Sequence, residues 1–147
     1  MNTDGNGTTV NQSIEIKAPV EQIWKALIAA DVRADWWSYL DLDPVVGGGV
    51  KETWEGPDGS NQTTGVITDL IEGKLLALDW ADDGWPESTH VEFMLRPSEG
   101  GTLVQLRETG IDRLPGAADI AAEHRAGWQM HLNDLRNLVE GRQMTNQ

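Results

Sequence analysis

Few residues in this chain carry chemistry that needs weighing, and the histidines come first. His90-Val91-Glu92 has the His-x-Glu spacing of half a zinc-deaminase signature. The other half requires two cysteines, and the chain has none. His124 and His131 fall on one helical pattern but seven positions apart, about 10 Å along a helix axis, too far to share one metal ion. No metal and no cofactor is expected. Ser13, Ser38, Ser60, Ser88 and Ser98 stand in no Gly-x-Ser-x-Gly setting, so no serine nucleophile is supported. Gly47-Gly48-Gly49 lacks the Gly-Lys-Ser/Thr ending and following helix of a phosphate-cradling loop, and reads as a turn or bulge.

One carboxylate stands out. Glu108 shares strand parity with Val104 and Leu106, so its side chain should face the inner side of a sheet. A carboxylate there must be desolvated, paired or pocket-lining, and desolvation would raise its pKa. The alternative is a strand that frays by Glu108 and lets the group reach water.

Seven tryptophans against one Phe and one Tyr are the strongest compositional signal. Trp24 and Trp128 lie on helix faces, and Trp80 shares parity with Leu76 and Leu78. Trp36, Trp37 and Trp54 follow no such pattern. Indole is bulky and its N–H wants a partner. The set reads either as ordinary core or as the wall of an apolar cavity, for which Trp36, Trp37, Trp54, Trp80, Glu108 and Trp128 are the candidate ligand-binding residues. No catalytic residue is assigned. Gly127 sits inside the last helical pattern at a cost of about 1 kcal/mol relative to Ala, which close approach of a strand or of a ligand would explain.

These residues need positioning elements, and the hydrophobic rhythm supplies them. Val10, Ile14 and Ile16 mark a strand at about residues 8–17. Ala18-Pro19 ends it, with proline at the first turn of a helix whose apolar stripe is Val20, Ile23, Trp24, Leu27 and Ile28. Asp31 would cap a second short helix ending near Trp36-Trp37. From Leu40 the pattern alternates: strands at Val50–Glu55, Gln62–Ile71 and Leu75–Trp80, then around Val91–Leu95 and Val104–Leu106. Pro57-Asp58-Gly59, Glu72-Gly73-Lys74, Asp82-Asp83-Gly84 and Pro97 to Gly101 turn the chain. Connections this short force antiparallel neighbours. Around Ala117–Glu140, Trp128, Leu132, Leu135 and Val139 recur at helical spacing, with Asp119 as a candidate N-cap and Gly141 past the end. The order is strand, two helices, about six strands, long helix, an α+β arrangement with a long helix laid across a curved antiparallel sheet.

At 147 residues the chain is expected to form one domain over residues 8–142, between flexible tails at 1–7 and 143–147. A domain of this size buries roughly 68–70% of its unfolded surface and needs no disulfide or metal. The first residues carry no basic region and apolar core, so no secretory signal is read there. No apolar stretch approaches the ~18 residues of a membrane span. The charge of −13, from 24 acids against 11 bases, opposes binding to a phosphate backbone or an anionic lipid surface. The expectation is a cytoplasmic protein with no nucleic-acid or membrane partner, as monomer or homodimer.

The chain also resembles a known family. The matching segments run in order from about Ile14 to Glu140: Ile16-Lys17-Ala18-Pro19 with Ile23-Trp24 and Leu27; Trp36 or Trp37; Gly47-Gly48-Gly49; Pro57-Asp58-Gly59; Gly65; Leu76-Ala77-Leu78-Asp79-Trp80; Val91-Glu92-Phe93; Gly101-Thr102 with Leu106; and Gly127-Trp128 with Leu132 and Leu135. In order and spacing they are similar to the activators of heat-shock-protein-90 ATPase, within the START-like, birch-pollen-allergen-like superfamily. The resemblance implies a helix-grip fold of about seven strands with a cavity between sheet and terminal helix. It implies no shared reaction, because the superfamily spans lipid and hormone carriers, polyketide cyclases and chaperone activators. Three functions follow as expectations: a module binding a small hydrophobic or amphipathic molecule in that cavity, a module acting on a chaperone ATPase, and a cyclase or lyase with Glu108 as acid or base.

Overall fold

The computed structural model describes residues 8–56 and 59–141. The expected tails and the Pro57-Asp58 part of the expected hairpin turn lie outside them. Strand β1 (Val10–Ile16) is followed by helices α1 (Val20–Ile28) and α2 (Ala30–Arg33). Six strands follow: β2 (Leu40–Leu42), β3 (Gly49–Gly56), β4 (Gly59–Ile71), β5 (Leu75–Asp82), β6 (Thr89–Ser98) and β7 (Gly101–Thr109). A 3-10 turn at Ile111–Arg113 leads into the long helix α3 (Ala117–Val139). The strands form one seven-stranded antiparallel sheet in the order β1-β7-β6-β5-β4-β3-β2. From β2 to β7 each strand pairs with its neighbour in sequence. The two short helices carry the chain from β1 on one edge to β2 on the other. This is the helix-grip α+β fold that the alternation and the final helical period predict.

Alternation places the core. Val10, Ile14 and Ile16 of β1, Val104 and Leu106 of β7, Val91, Phe93 and Leu95 of β6, and Leu76, Leu78 and Trp80 of β5 are all buried on one face. Helix α3 closes that face with Ala121, Trp128, Leu132 and Leu135. Burying these side chains is the main stabilising term, at about 25 cal/mol per Å² of apolar surface removed from water. Polar contacts fix α3 along β1: Gln12 Nε2 donates to the Arg125 carbonyl at 2.9 Å and Lys17 N–H to Glu140 Oε2 at 2.8 Å.

Several local expectations need correcting. Asp119 is not the cap of α3; Gly116, in the left-handed region at φ 75°, precedes Ala117, and Asp119 lies in the first turn, where a negative charge still suits the helix dipole. Asp31 likewise lies inside α2, which starts directly after Ala29. Pro19 is the residue before α1 and not its first helical one. Pro97 does not begin the turn after β6, because the strand runs on to Ser98. Leu95 N–H reaches the Lys74 carbonyl just before β5 begins, so the position two residues on has no strand beside it to receive an N–H. Gly141, at φ 74°, does follow the end of α3. The glycine triplet is structural: Gly47 N–H donates to the Ile67 carbonyl, and Ile67 N–H to that of Gly48, at 2.8 and 2.9 Å.

Gly65 on β4 lies opposite Trp80 on β5. A Cβ at position 65 would collide with the Asp79 carbonyl oxygen and stand 2.6 Å from the Cβ of Trp80, so the β5 backbone occupies room that only glycine leaves free. Gly65→Ala should therefore destabilise the fold by about 1–3 kcal/mol through overpacking. Urea denaturation measures this, and an unchanged midpoint would remove the close approach from the account.

Candidate functional site

The site is built outward from Glu108. Its strand does not fray: Glu108 pairs with Val10 on one side and Val91 on the other, and is 0% exposed. Three donors from two elements close on the carboxylate. Thr89 Oγ1, at the start of β6, donates to Oε2 at 2.6 Å. His124 Nδ1 and Trp128 Nε1, both on α3, lie 2.7 and 2.9 Å from Oε1. Positions 124 and 128 are four apart, so one helix face brings both rings to the same oxygen. Burial alone would raise the Glu108 pKa, but the hydrogen bond and charge of His124, with the bonds from Thr89 and Trp128, hold it below the usual carboxylate value. Burial likewise pushes His124 down, and the bond to Glu108 with the charges of Glu108, Asp82 and Glu123 more than reverses that, so its pKa is raised. Carboxylate and imidazolium therefore support each other's charged form.

Around this pair the aromatic residues interlock. Trp37 is the hub: its ring lies 4.5 Å from that of His131 in a stacked arrangement, and meets Trp128 and Trp80 edge-on at 5.6 and 6.3 Å. Trp80 and Trp128 stack at 5.6 Å and 16°, a favourable offset geometry for aromatic pairs. Trp37 Nε1 donates to Glu52 Oε2 at 2.9 Å. Burial raises the Glu52 pKa despite that bond, and the charge of Asp82 adds to the rise. Trp36 lies behind this layer, its Nε1 bonded to the Ala26 carbonyl at 2.8 Å. Trp54 is 38% exposed at the rim.

The interlocking corrects the picture of an indole-walled hollow. The space enclosed among Trp37, Trp80, Phe93, Trp128 and their aliphatic neighbours is about 10 Å³, near the volume that one water requires. Rings from three elements and from the turn between α2 and β2 fill it by stacking on one another. Open room lies instead at the mouth between α3 and the sheet. A cleft of about 110 Å³ is lined by Glu52, Trp80, Glu123, His124, Gly127, Trp128 and His131. Five of these residues also border a wider recess of about 400 Å³ that extends to Tyr39, Trp54, Thr63 and Asp82. Of the six residues singled out from sequence, Trp80 and Trp128 line the cleft and Trp54 the recess. Trp37 supports it from within through Glu52 and His131. Glu108 is sealed behind His124 and Trp128, and Trp36 is core.

Sequence reasoning missed Glu52, Thr89 and Trp85, and weighed His124 and His131 only as metal ligands. Signals for two of them exist. Glu52 shares parity with Val50, which is buried, and His124 precedes Trp128 by one helical step. Trp85 stacks on the His124 ring at 5.9 Å from a turn that carries no periodic pattern. Among the described residues no group of three or more His, Asp or Glu side chains is arranged to hold a metal ion, and no helix is long and apolar enough to cross a membrane.

The model of the family described as "Activator of Hsp90 ATPase homolog 1-like protein" matches residues 17–140. No curated protein sequence matches the chain. Among solved structures, the Aha1 dimer from Colwellia psychrerythraea is similar at TM-score 0.72 and 26% identity, over 90% of this chain and 96% of that one. CalU16 from Micromonospora echinospora is similar at TM-score 0.69 and 22% identity, over 89% of this chain and 74% of that one. A Mesorhizobium loti protein reaches TM-score 0.75 at 20% identity, over 92% and 99%. The last two likenesses speak to the fold.

His131, half-buried against Trp37, gives the site a pH signature. Burial lowers its pKa from 6.5 to about 4. The folded chain holds it neutral where the unfolded chain would protonate it. Its contribution to stability is complete above about 6.5 and is lost as the pH falls through about 4, by up to about 3 kcal/mol. His131→Phe keeps a ring against Trp37 but cannot titrate. Thermal melts of this variant should lose less stability between about pH 7 and pH 4 than the parent does; parallel melting curves would refute the assignment.

Proposed function

The chain belongs to the activator of Hsp90 ATPase homolog 1-like family, and from that premise we propose that its helix–sheet cleft binds a small amphipathic molecule. Gly127 is the observation that carries the reading. It lies within α3 and borders both the cleft and the wider recess, and a Cβ built on it meets nothing within 4 Å. Close packing against a strand therefore does not account for a glycine there. An empty place on the helix does, because it widens the mouth over the Trp80 and Trp128 rings. Apolar walls with a few polar groups are the usual make-up of small-molecule sites. Here the indoles take the apolar body of the ligand. Glu52, Asp82 and Glu123 at the rim favour a neutral or cationic polar end over an anionic one.

Two substitutions at Gly127 separate fold from function. Gly127→Ala should stabilise the protein by about 1 kcal/mol, from helix propensity without a clash. Gly127→Leu should leave the fold intact and fill the mouth. Small aromatic amines should then quench tryptophan emission saturably in the parent and Gly127→Ala proteins but not in Gly127→Leu, while the matching aromatic acids bind more weakly. Equal quenching in all three proteins, or no quenching in any, would refute the reading.

The family description also favours a second reading, in which the domain docks on a chaperone and changes its ATPase rate. The likeness to the Colwellia Aha1 dimer supports it at the level of fold. Adding the purified protein to an Hsp90-type chaperone should raise ATP hydrolysis measurably above the chaperone alone. A rate that stays constant at saturating protein would end this reading and leave the cleft reading untouched.

A further inference from the structure

We propose that His124 is a catalytic base of this cleft: Nε2, set by the hold of Glu108 on the other ring nitrogen, takes a proton from a planar carbon acid bound over the indoles. The inference rests on the small-molecule reading of the cleft and adds a reaction to it.

The geometry defines the ring. His124 Nδ1 lies 2.7 Å from a fully buried carboxylate oxygen. Glu108 accepts and cannot donate when ionised, so in the neutral imidazole Nδ1 carries the hydrogen and Nε2 the lone pair. Thr89 and Trp128 bind the same carboxylate and keep it from turning away. Trp85 stacks on the imidazole face at 5.9 Å and fixes its plane. Nε2 makes no hydrogen bond to the described residues, the side chain is 21% exposed, and His124 lines both the cleft and the recess. A buried carboxylate behind a histidine whose second nitrogen is free is the arrangement that prepares imidazole to accept a proton and supports the imidazolium that forms. Glu108 never touches the ligand; it is a positioning residue.

The surrounding charges favour the same step. Asp82 on β5, Glu123 on α3 and Glu108 on β7 all raise the basicity of His124, and Glu52 on β3 faces it across the cleft. These carboxylates stabilise the positive charge that proton capture creates. On the cleft wall, the Trp80 and Trp128 rings offer flat apolar surface on which a planar ligand can lie. The acidic rim then disfavours retention of an anionic product. Together these features select a neutral, flat, weakly acidic substrate.

The probe is 5-nitrobenzisoxazole, which is flat, neutral and reports proton abstraction directly. Nε2 takes the ring C–H proton, the C–H electron pair forms the nitrile bond, the N–O bond breaks, and its electrons leave on the phenoxide. The imidazolium then returns its proton to water. The parent protein should give a saturable rate about 100-fold or more above the same concentration of free imidazole, rising with pH to a plateau as His124 loses its proton. His124→Gln should abolish that excess, and His90→Gln, on the other sheet face with Asp79 and Glu92, should keep it. Glu108→Gln should move the inflection of the pH–rate profile to lower pH; should that variant fail to fold, Thr89→Val tests the same support with a smaller change. Quenching of tryptophan emission by the probe without excess turnover, or equal turnover in His124→Gln, overturns the base assignment and leaves the binding site standing. Absence of quenching overturns both.

Discussion

A single ionised carboxylate in the apolar layer governs how this molecule is put together. An unpaired charge at 0% exposure would be too costly to retain. Glu108 is tolerated because three donors reach it, and those donors come from β6 and α3. The interaction therefore does more than neutralise a charge. It determines how far α3 slides along the sheet, since His124 and Trp128 must both meet one oxygen. Removing one partner of such a buried pair costs about 3–5 kcal/mol, more than most apolar contacts. A hydrophobic residue at position 108 could fill the same volume but would leave the indole N–H of Trp128 and the Thr89 hydroxyl without acceptors.

The aromatic layer depends on that placement. Trp128 is held by its N–H, so its face is presented to Trp80 at 16°, and its edge to Trp37 and Phe93. Trp37 is tied in turn through Glu52, and its ring carries His131. The polar and the stacked contacts thus form one connected assembly, and its outer surface is the cleft. The small space left among the described rings follows from the same fact. Rings held at fixed angles by hydrogen bonds fill the interior, and the remaining space is displaced to the mouth, where the helix has a glycine.

The fold was legible because it rests on periodicity. Strand alternation in Val91–Leu95 and Val104–Leu106 and the helical step of Trp128, Leu132 and Leu135 need no tertiary knowledge, and the turn glycines punctuate them. Parity was enough to turn Glu108 inward, and would have done the same for Glu52. What could not be read were contacts that depend on which elements meet. Trp36 and Trp37 are both buried from a turn that belongs to no helix or strand, so no period marks them; their contacts with α1 and β3 hold them there. The stacking of Trp85 on His124 joins a turn to a helix far along the chain. The caps of α2 and α3 were misassigned to Asp31 and Asp119 because the backbone there enters each helix without a side-chain cap.

The sheet order has a consequence for how the chain reaches this state. Every strand from β2 onward finds its partner next to it in sequence, but β1 can dock only on β7, where Thr102 reaches the Ala18 carbonyl across 84 positions. Loop-closure entropy makes such a joint slow to form. During synthesis the first strand to emerge is the last to be seated, and Val10 lies opposite Glu108 in that late-forming seam. The carboxylate is enclosed on its β1 side only when the two ends of the domain come together, so a chain stalled before that step carries the meander but not a finished site.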